Sequence, residues 1–179
     1  MTDKEKIITL LQSTNREGMD NMIQWMEIEN FFTSPGSTKY HGCYEGGLAK
    51  HSMGVYSLLH SFNQELQLGC EEDSIIIATL LHDVCKVGAY LGDHKPYKYN
   101  RSQPKGHARL SIERIEQFIM LSPLEKLMIL YHMGPWNSTG RGEEYSVDDM
   151  LSVWGKNEIV RWVYFSDEMA TREEKVDES

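Results

Sequence analysis

A chain of 179 residues, 40% of them apolar, is long enough for one domain with a substantial core, and no stretch approaches the roughly 20 apolar residues that cross a bilayer. Acidic residues number 27 against 18 basic ones, and the resulting net charge of −9 repels the phosphate backbone of duplex nucleic acid. Cys43, Cys70 and Cys85 are odd in number and form no CxxC pair, which argues against a disulfide framework and suits free thiols in a reducing cytoplasm.

Residues 1–30 read as a helical extension that packs on the main domain. Ile7, Ile8, Leu10 and Leu11 recur at helical spacing over 5–13, and Met19, Met22, Ile23 and Met26 do so over 18–28, so these methionines are read as packing residues. The opening MTDKEKIITLLQS has neither the long apolar run of an export signal nor a lipidation motif. A domain over 31–172 follows. Thr33-Ser34-Pro35-Gly36-Ser37 is a loop by composition, and Glu45-Gly46-Gly47 is a second break whose glycines permit close approach of the backbone to the next helix.

From 48 to 68, Leu48, Val55, Leu58, Leu59, Phe62 and Leu66 predict an amphipathic helix with His51 in its first turn. From 71 to 86, an acidic start followed by IIIATLL predicts a helix apolar nearly all round, hence central to the core, with His82-Asp83 toward its C-terminal end. Residues 89–105 read as a loop or small hairpin, and helices are expected at 106–120, 122–133, 147–153 and 157–171. The repertoire is all-α. The polar, glycine-rich stretch 134–146 is the candidate for a mobile loop, and 173–179 for a frayed charged tail.

Imidazole and carboxylate side chains bind divalent metals, and this chain spaces them in a distinctive order: His51 in GGLAKHS, His82-Asp83 in LLHDVCKVG, His107 in KGHARLS, His132 in LYHMG and Asp167 in VYFSDEMA. Adjacent helical residues point about 100° apart, so His82 and Asp83 straddle two neighbouring positions, where Asp83 can bridge. Lys86, three residues after Asp83 and four after His82, falls on the same face and can neutralise a bound phosphate. Four imidazoles favour Mn, Fe, Co, Ni or Zn over Mg.

Over residues 40–170 this pattern resembles the HD-domain superfamily, most of whose members are metal-dependent phosphohydrolases. The resemblance implies an all-α helical bundle around a metal site. It assigns His51, His82, Asp83 and Asp167 as the set for one metal, and adds His107 and His132 where two-metal members carry two further histidines. Six ligands imply two divalent transition-metal ions, Fe or Mn first, with Ni, Co or Zn as other choices. Asp83 and Lys86 are then the catalytic residues, and a hydroxide bridging the metals cleaves an ester, anhydride or cyclic phosphodiester of a small nucleotide. Lys86, Lys105, Arg109, Trp136 and Arg141 are the candidate substrate contacts, with Trp136 stacking on a base or closing over the core. The partner is thus a small phosphorylated molecule, with neither duplex nucleic acid nor membrane.

A few members with the same six ligands resemble a second class, di-iron oxygenases acting on a polyol or phosphonate, and Lys86 tips the reading toward phosphate. The tripeptide His132-Met133-Gly134 departs from the GYP motif of cyclic di-GMP hydrolases. A binding module that has lost activity finds no support, since all six ligand positions are filled. Among the remaining histidines, His41 and His94 are expected to be solvated or locally hydrogen-bonded in loops, and His60, on the face away from His51, to be structural.

Overall fold

A computed structural model describes residues 1–38, 41–92, 95–104, 106–137 and 144–177. Among these are eight α-helices and one two-stranded sheet, so the fold is all-α as expected. The extension consists of α1 (Asp3–Ser13) and α2 (Met19–Ile28). A capping box at Thr2 and Glu5 starts α1, and Met19, Met22 and Met26 are buried in the core.

Three helices carry the centre. In α4 (Glu72–Leu81) every residue from Ile75 to Leu81 is buried. Its three isoleucines and two leucines contribute roughly 1.5–3 kcal/mol each by burial, before the entropy cost of ordering them. α3 (Gly47–Glu65) lies along one side of α4 and α6 (Pro123–Leu130) along another, while α8 (Glu158–Asp177) packs on α3 and α6. α5 (His107–Ile115) packs on α6 and on the turn that follows α4, and α7 (Val147–Lys156) packs on α8. The expected small hairpin is present, with β1 (Tyr90–Leu91) antiparallel to β2 (Lys98–Tyr99). No helix among the described residues is long and apolar enough to cross a membrane.

Several boundaries differ from the sequence expectation. α4 ends at Leu81 rather than running to 86. His82 is its C-cap, and a separate 3-10 turn covers Val84–Lys86. α6 likewise ends at Leu130, short of 133. In both cases a histidine ring bonds a carbonyl of the last turn, a side-chain alternative to the helical ladder. At the other extreme α8 continues to Asp177, into the segment expected to fray. The expected mobile loop holds a 3-10 turn at Gly134–Asn137, and 138–143 lie outside the described residues.

Gly47, the first residue of α3, permits the close approach anticipated. A Cβ on Gly47 would lie 2.0 Å from the Gly42 carbonyl oxygen, so only glycine lets the preceding loop close onto the start of the helix. That loop carries His41, and the helix carries His51.

Arg16 ties the extension to the domain: it donates to the Met120 carbonyl oxygen at 2.8 Å and reaches a buried carboxylate. Arg16 donates two hydrogen bonds, of 2.8 and 3.1 Å, to the fully buried carboxylate of Glu125 on α6, which also accepts from the Ser74 hydroxyl on α4 and the Ser122 amide. Burial works against the charge on Glu125, but these donors, led by Arg16, hold its carboxyl below the ordinary value. Removing one partner of such a pair leaves an uncompensated charge, so Arg16→Met is expected to cost about 3 kcal/mol at pH 7. Because the folded-state value is depressed, the contribution is present above the unfolded value of roughly 4.3 and fades as pH falls through the folded one. Urea unfolding across pH should therefore show the gap between wild type and variant closing in acid. A constant gap would show that Glu125 is not held ionised.

Candidate metal centre

His51 comes from α3, His82 and Asp83 from the end of α4, His107 from the first residue of α5, His132 from the turn after α6, and Asp167 from the middle of α8. All six meet. The Asp83 carboxylate, 2% exposed, lies at the middle, and its two oxygens divide the imidazoles into pairs. Oδ2 faces His82 Nε2 at 3.3 Å and His51 Nε2 at 3.9 Å, while Oδ1 faces His107 Nε2 at 2.8 Å and His132 Nε2 at 3.7 Å. Asp167 joins the first pair, with Oδ1 2.9 Å from His51 Nε2.

The tautomers follow from the outer ring nitrogens. His82 Nδ1 is 2.7 Å from the Thr79 carbonyl oxygen and His132 Nδ1 is 2.6 Å from that of Ile129. A carbonyl only accepts, so each Nδ1 carries the proton and donates it. Each Nε2 is then the nitrogen left to bind a metal, and those of His82 and His132 are buried with no hydrogen bond. Burial, with His82 and His107 nearby, pushes the His132 imidazole down to about 3, so it stays neutral.

Lone pairs and carboxylate oxygens aimed at one another repel unless a cation stands between them. With ligand bonds of about 2.1 Å, donor atoms around one ion sit roughly 3–3.5 Å apart, close to the spacings found. The residues therefore fit divalent metal. His51, His82, Asp83 and Asp167 would hold one position, and Asp83, His107 and His132 the other; the cluster His51–His82–Asp167 is compact enough to close on an ion, and so is His82–Asp83–His132, which takes one imidazole from each position. Without metal, burial opposes the Asp83 charge, but Lys86 and then the imidazoles of His82 and His107 hold its carboxyl well below the ordinary range. Lys86 Nζ lies 2.6 Å from Asp83 Oδ2. That contact outweighs the cost of burial and raises the ammonium above its ordinary value.

Asp83, Lys86, His107 and Asp167 line the floor of a cavity of about 570 Å³, whose walls include His41, Tyr90, Trp136, Asn137 and Glu168. Trp136 stands at the rim, 66% exposed, its indole N–H donating to Glu168 Oε1 at 3.1 Å. Lys86 is the one lysine or arginine among the described residues of the lining. Lys105 and Arg141 lie outside the described residues. Arg109 lies outside the cavity lining: two residues beyond His107 it falls on the far side of α5, where its guanidinium donates to the Glu144 carbonyl oxygen at 2.7 Å. The expected phosphate contact at Arg109 is thus replaced by a structural one. His60, as expected, is structural, with Nδ1 2.9 Å from Glu72 Oε1 across α3 and α4.

Two other features were not anticipated. His41, expected to be a solvated or locally bonded loop residue, is turned inward, its ring centroid 4.7 Å from that of His51 and neither nitrogen hydrogen-bonded. Burial, with Lys86 and His51 close by, pushes it down to about 3, so it too is neutral. The glycine-rich context YHGCYEGG was the available signal, because a loop folded back onto α3 has to bring its side chains to the helix start. Glu144, in the stretch expected to be a mobile loop, is buried and caps α5. Its carboxylate accepts from the amides of Ala108 at 3.1 Å and Arg109 at 2.8 Å, and from the Asn137 side-chain amide. Gly106 offers no side chain at the N-cap, so this distant carboxylate does that work and complements the helix dipole.

The HD-domain family model matches residues 48–176, which include all six ligand candidates. The chain belongs to the HD-domain family. HD domains bind divalent metals, and most are metal-dependent hydrolases. Searches of curated proteins and of solved structures found no match to this chain.

Since Glu144 fixes the start of α5, Glu144→Ala leaves two helix-end amides without an acceptor, an expected loss of about 1–2 kcal/mol. Metal uptake should fall with it, because His107 is the first residue of that helix. Thermal unfolding and metal content of the purified variant check both; stability and uptake equal to wild type would remove Glu144 from this role.

Proposed function

We propose that this HD domain is a phosphohydrolase of small phosphorylated molecules, a nucleotide foremost, working with two divalent transition-metal ions, Fe or Mn before Ni, Co or Zn. The observation that carries the reading is the division of four imidazoles into two pairs by the two oxygens of Asp83, at the floor of a cavity sized for a small molecule. When bound, the ions would supply an acidified water and the positive charge that phosphoryl transfer requires.

The protein's own groups divide the remaining tasks. Asp83 holds both metal positions in register, and Lys86, kept protonated beside it, turns a positive edge to the cavity, where it meets a phosphoryl oxygen. Neutral His41 lines the cavity with both ring nitrogens buried and unbonded, so a small turn of the ring would bring an N–H to a substrate oxygen or its lone pair to a hydroxyl. The exposed Trp136 ring at the rim offers an apolar face on which a base can stack. Lys86 favours this reading over oxygen activation on a polyol, because only an anionic substrate uses it.

The direct test is incubation with Mn²⁺ or Fe²⁺ and a panel of nucleotides, dinucleoside polyphosphates and cyclic nucleotides, with products resolved by chromatography. Hydrolysis is expected in wild type and absent in Asp83→Ala, which should also lose bound metal. Dioxygen uptake by iron-loaded protein with no hydrolysis across the panel would turn the reading to oxygenation. On a substrate so identified, His41→Asn should keep its metal and lose turnover on the order of 100-fold, the scale for one donor aimed at developing charge. Unchanged turnover in that variant would return His41 to a packing role.

A further inference from the structure

His82 and His132 are oriented alike: each sits just beyond a helix and donates Nδ1–H to the carbonyl three residues back. His107 lacks that arrangement. As the first residue of α5 it has no helical turn behind it, and its Nδ1 lies instead 3.2 Å from the sulfur of Cys85. We propose that the Cys85 thiol is the orienting partner of His107, and that occupancy of the metal position on the Oδ1 side of Asp83 depends on it. The inference rests on the two-metal reading above.

Cys85 is itself held firmly. Its amide donates to the Ser111 hydroxyl on α5 at 3.2 Å, and Arg114 of the same helix donates to the carbonyls on either side, Val84 and Val87, at 3.0 Å each. The 3-10 turn that carries the sulfur is thereby clamped to the helix that carries His107. Cys85, His107 and Asp83 form a cluster compact enough to suggest a thiolate ligand. The geometry points elsewhere. The sulfur sits at Nδ1, whereas Nε2, on the other side of the ring, is 2.8 Å from Asp83 Oδ1. Only Nε2 faces the carboxylate. With Nδ1–H donated to sulfur, Nε2 is the nitrogen whose lone pair a metal would take, as in His82 and His132. Partners of this kind fix ring angle and tautomer, and their loss typically weakens metal affinity about 10–100-fold.

Sulfur differs from a carbonyl in being removable and reactive. Cys85 forms part of the wall of a second cavity, of about 390 Å³, which shares Lys86, Tyr90 and His107 with the first. A backbone carbonyl in the same place would make the two metal positions equally robust; a thiol makes one of them conditional.

The test is cobalt titration of the full chain as wild type, Cys85→Ser and Cys85→Ala, following bound equivalents and the visible spectrum, with circular dichroism as the check of folding. Wild type is expected to take two equivalents. Cys85→Ala should keep one with unchanged affinity and bind the second about 10–100-fold more weakly. The near-isosteric Cys85→Ser, whose hydroxyl can still accept, should fall between and serves if the alanine variant does not fold. Cys85→Ala and Cys85→Ser binding both equivalents as wild type does would overturn the role of the thiol and leave the two-metal reading intact. A thiolate-to-cobalt charge-transfer band in wild type, lost in both variants, would overturn it differently, by making Cys85 a ligand. A single equivalent in wild type would overturn the two-metal reading and this inference together.

Discussion

An ionised carboxylate with almost no access to water is the constraint on which the rest of the structure depends. Asp83 is 2% exposed, in a setting where an unpaired charge would shed itself by taking up a proton. It stays ionised because Lys86 stands 2.6 Å away, with the His82 and His107 imidazoles adding to its hold. No single helix can supply that company. Residues on α3, α4, α5, α8 and the turn after α6 have to arrive together, so the bundle is arranged by convergence on one point as much as by burial of its apolar faces.

How each ligand arrives follows from where helices end. His82 and His132 sit past the last turns of α4 and α6, where carbonyls without helical partners are available, and each ring fixes itself on one. The same bond stops the helix and sets the tautomer. His107 arrives at a helix beginning, where unpaired amides face outward instead. A beginning offers no acceptor, so two outside groups take over: Glu144 binds the amides of α5, and the Cys85 sulfur meets the ring. This polarity of the helix, with donors at one end and acceptors at the other, is why one of the four imidazoles depends on side chains where the others in comparable places use backbone.

Much of this could be read from the sequence, and what could not has a physical pattern. The helices were legible because apolar periodicity reports burial directly, as with the continuous run of α4. The convergence of the candidate ligands was legible because so few side chain types bind metal that His82-Asp83 with His51, His107, His132 and Asp167 forms a pattern of its own. Helix ends were misplaced where a side chain competed with the ladder, since His82 and His132 look from periodicity alone like two more helical residues. His41 and Glu144 were missed for a related reason. Each lies in a segment without period, and its placement is decided by a loop folding onto a helix end, which depends on contacts far along the chain. Arg109 shows the converse error: proximity in sequence to His107 suggested proximity to substrate, but two helical residues are enough to turn a side chain to the opposite side.

The charge distribution adds a condition on the order of events. Among the described residues the cavity is lined by the carboxylates of Asp83, Asp167 and Glu168 against Lys86 and the His107 imidazole, which, despite burial, the nearby Cys85 and Asp83 raise well above its ordinary value, with His41 neutral, inside a chain of net charge −9. An anionic phosphate meets an unfavourable field there, and Lys86 is already committed to Asp83. Two divalent ions would outweigh the three carboxylates and reverse the sign of the cavity, at the same time releasing Lys86 from serving as the main counter-charge to Asp83. Metal binding would then do more than supply chemistry: it would make the cavity receptive to the phosphorylated substrate proposed above.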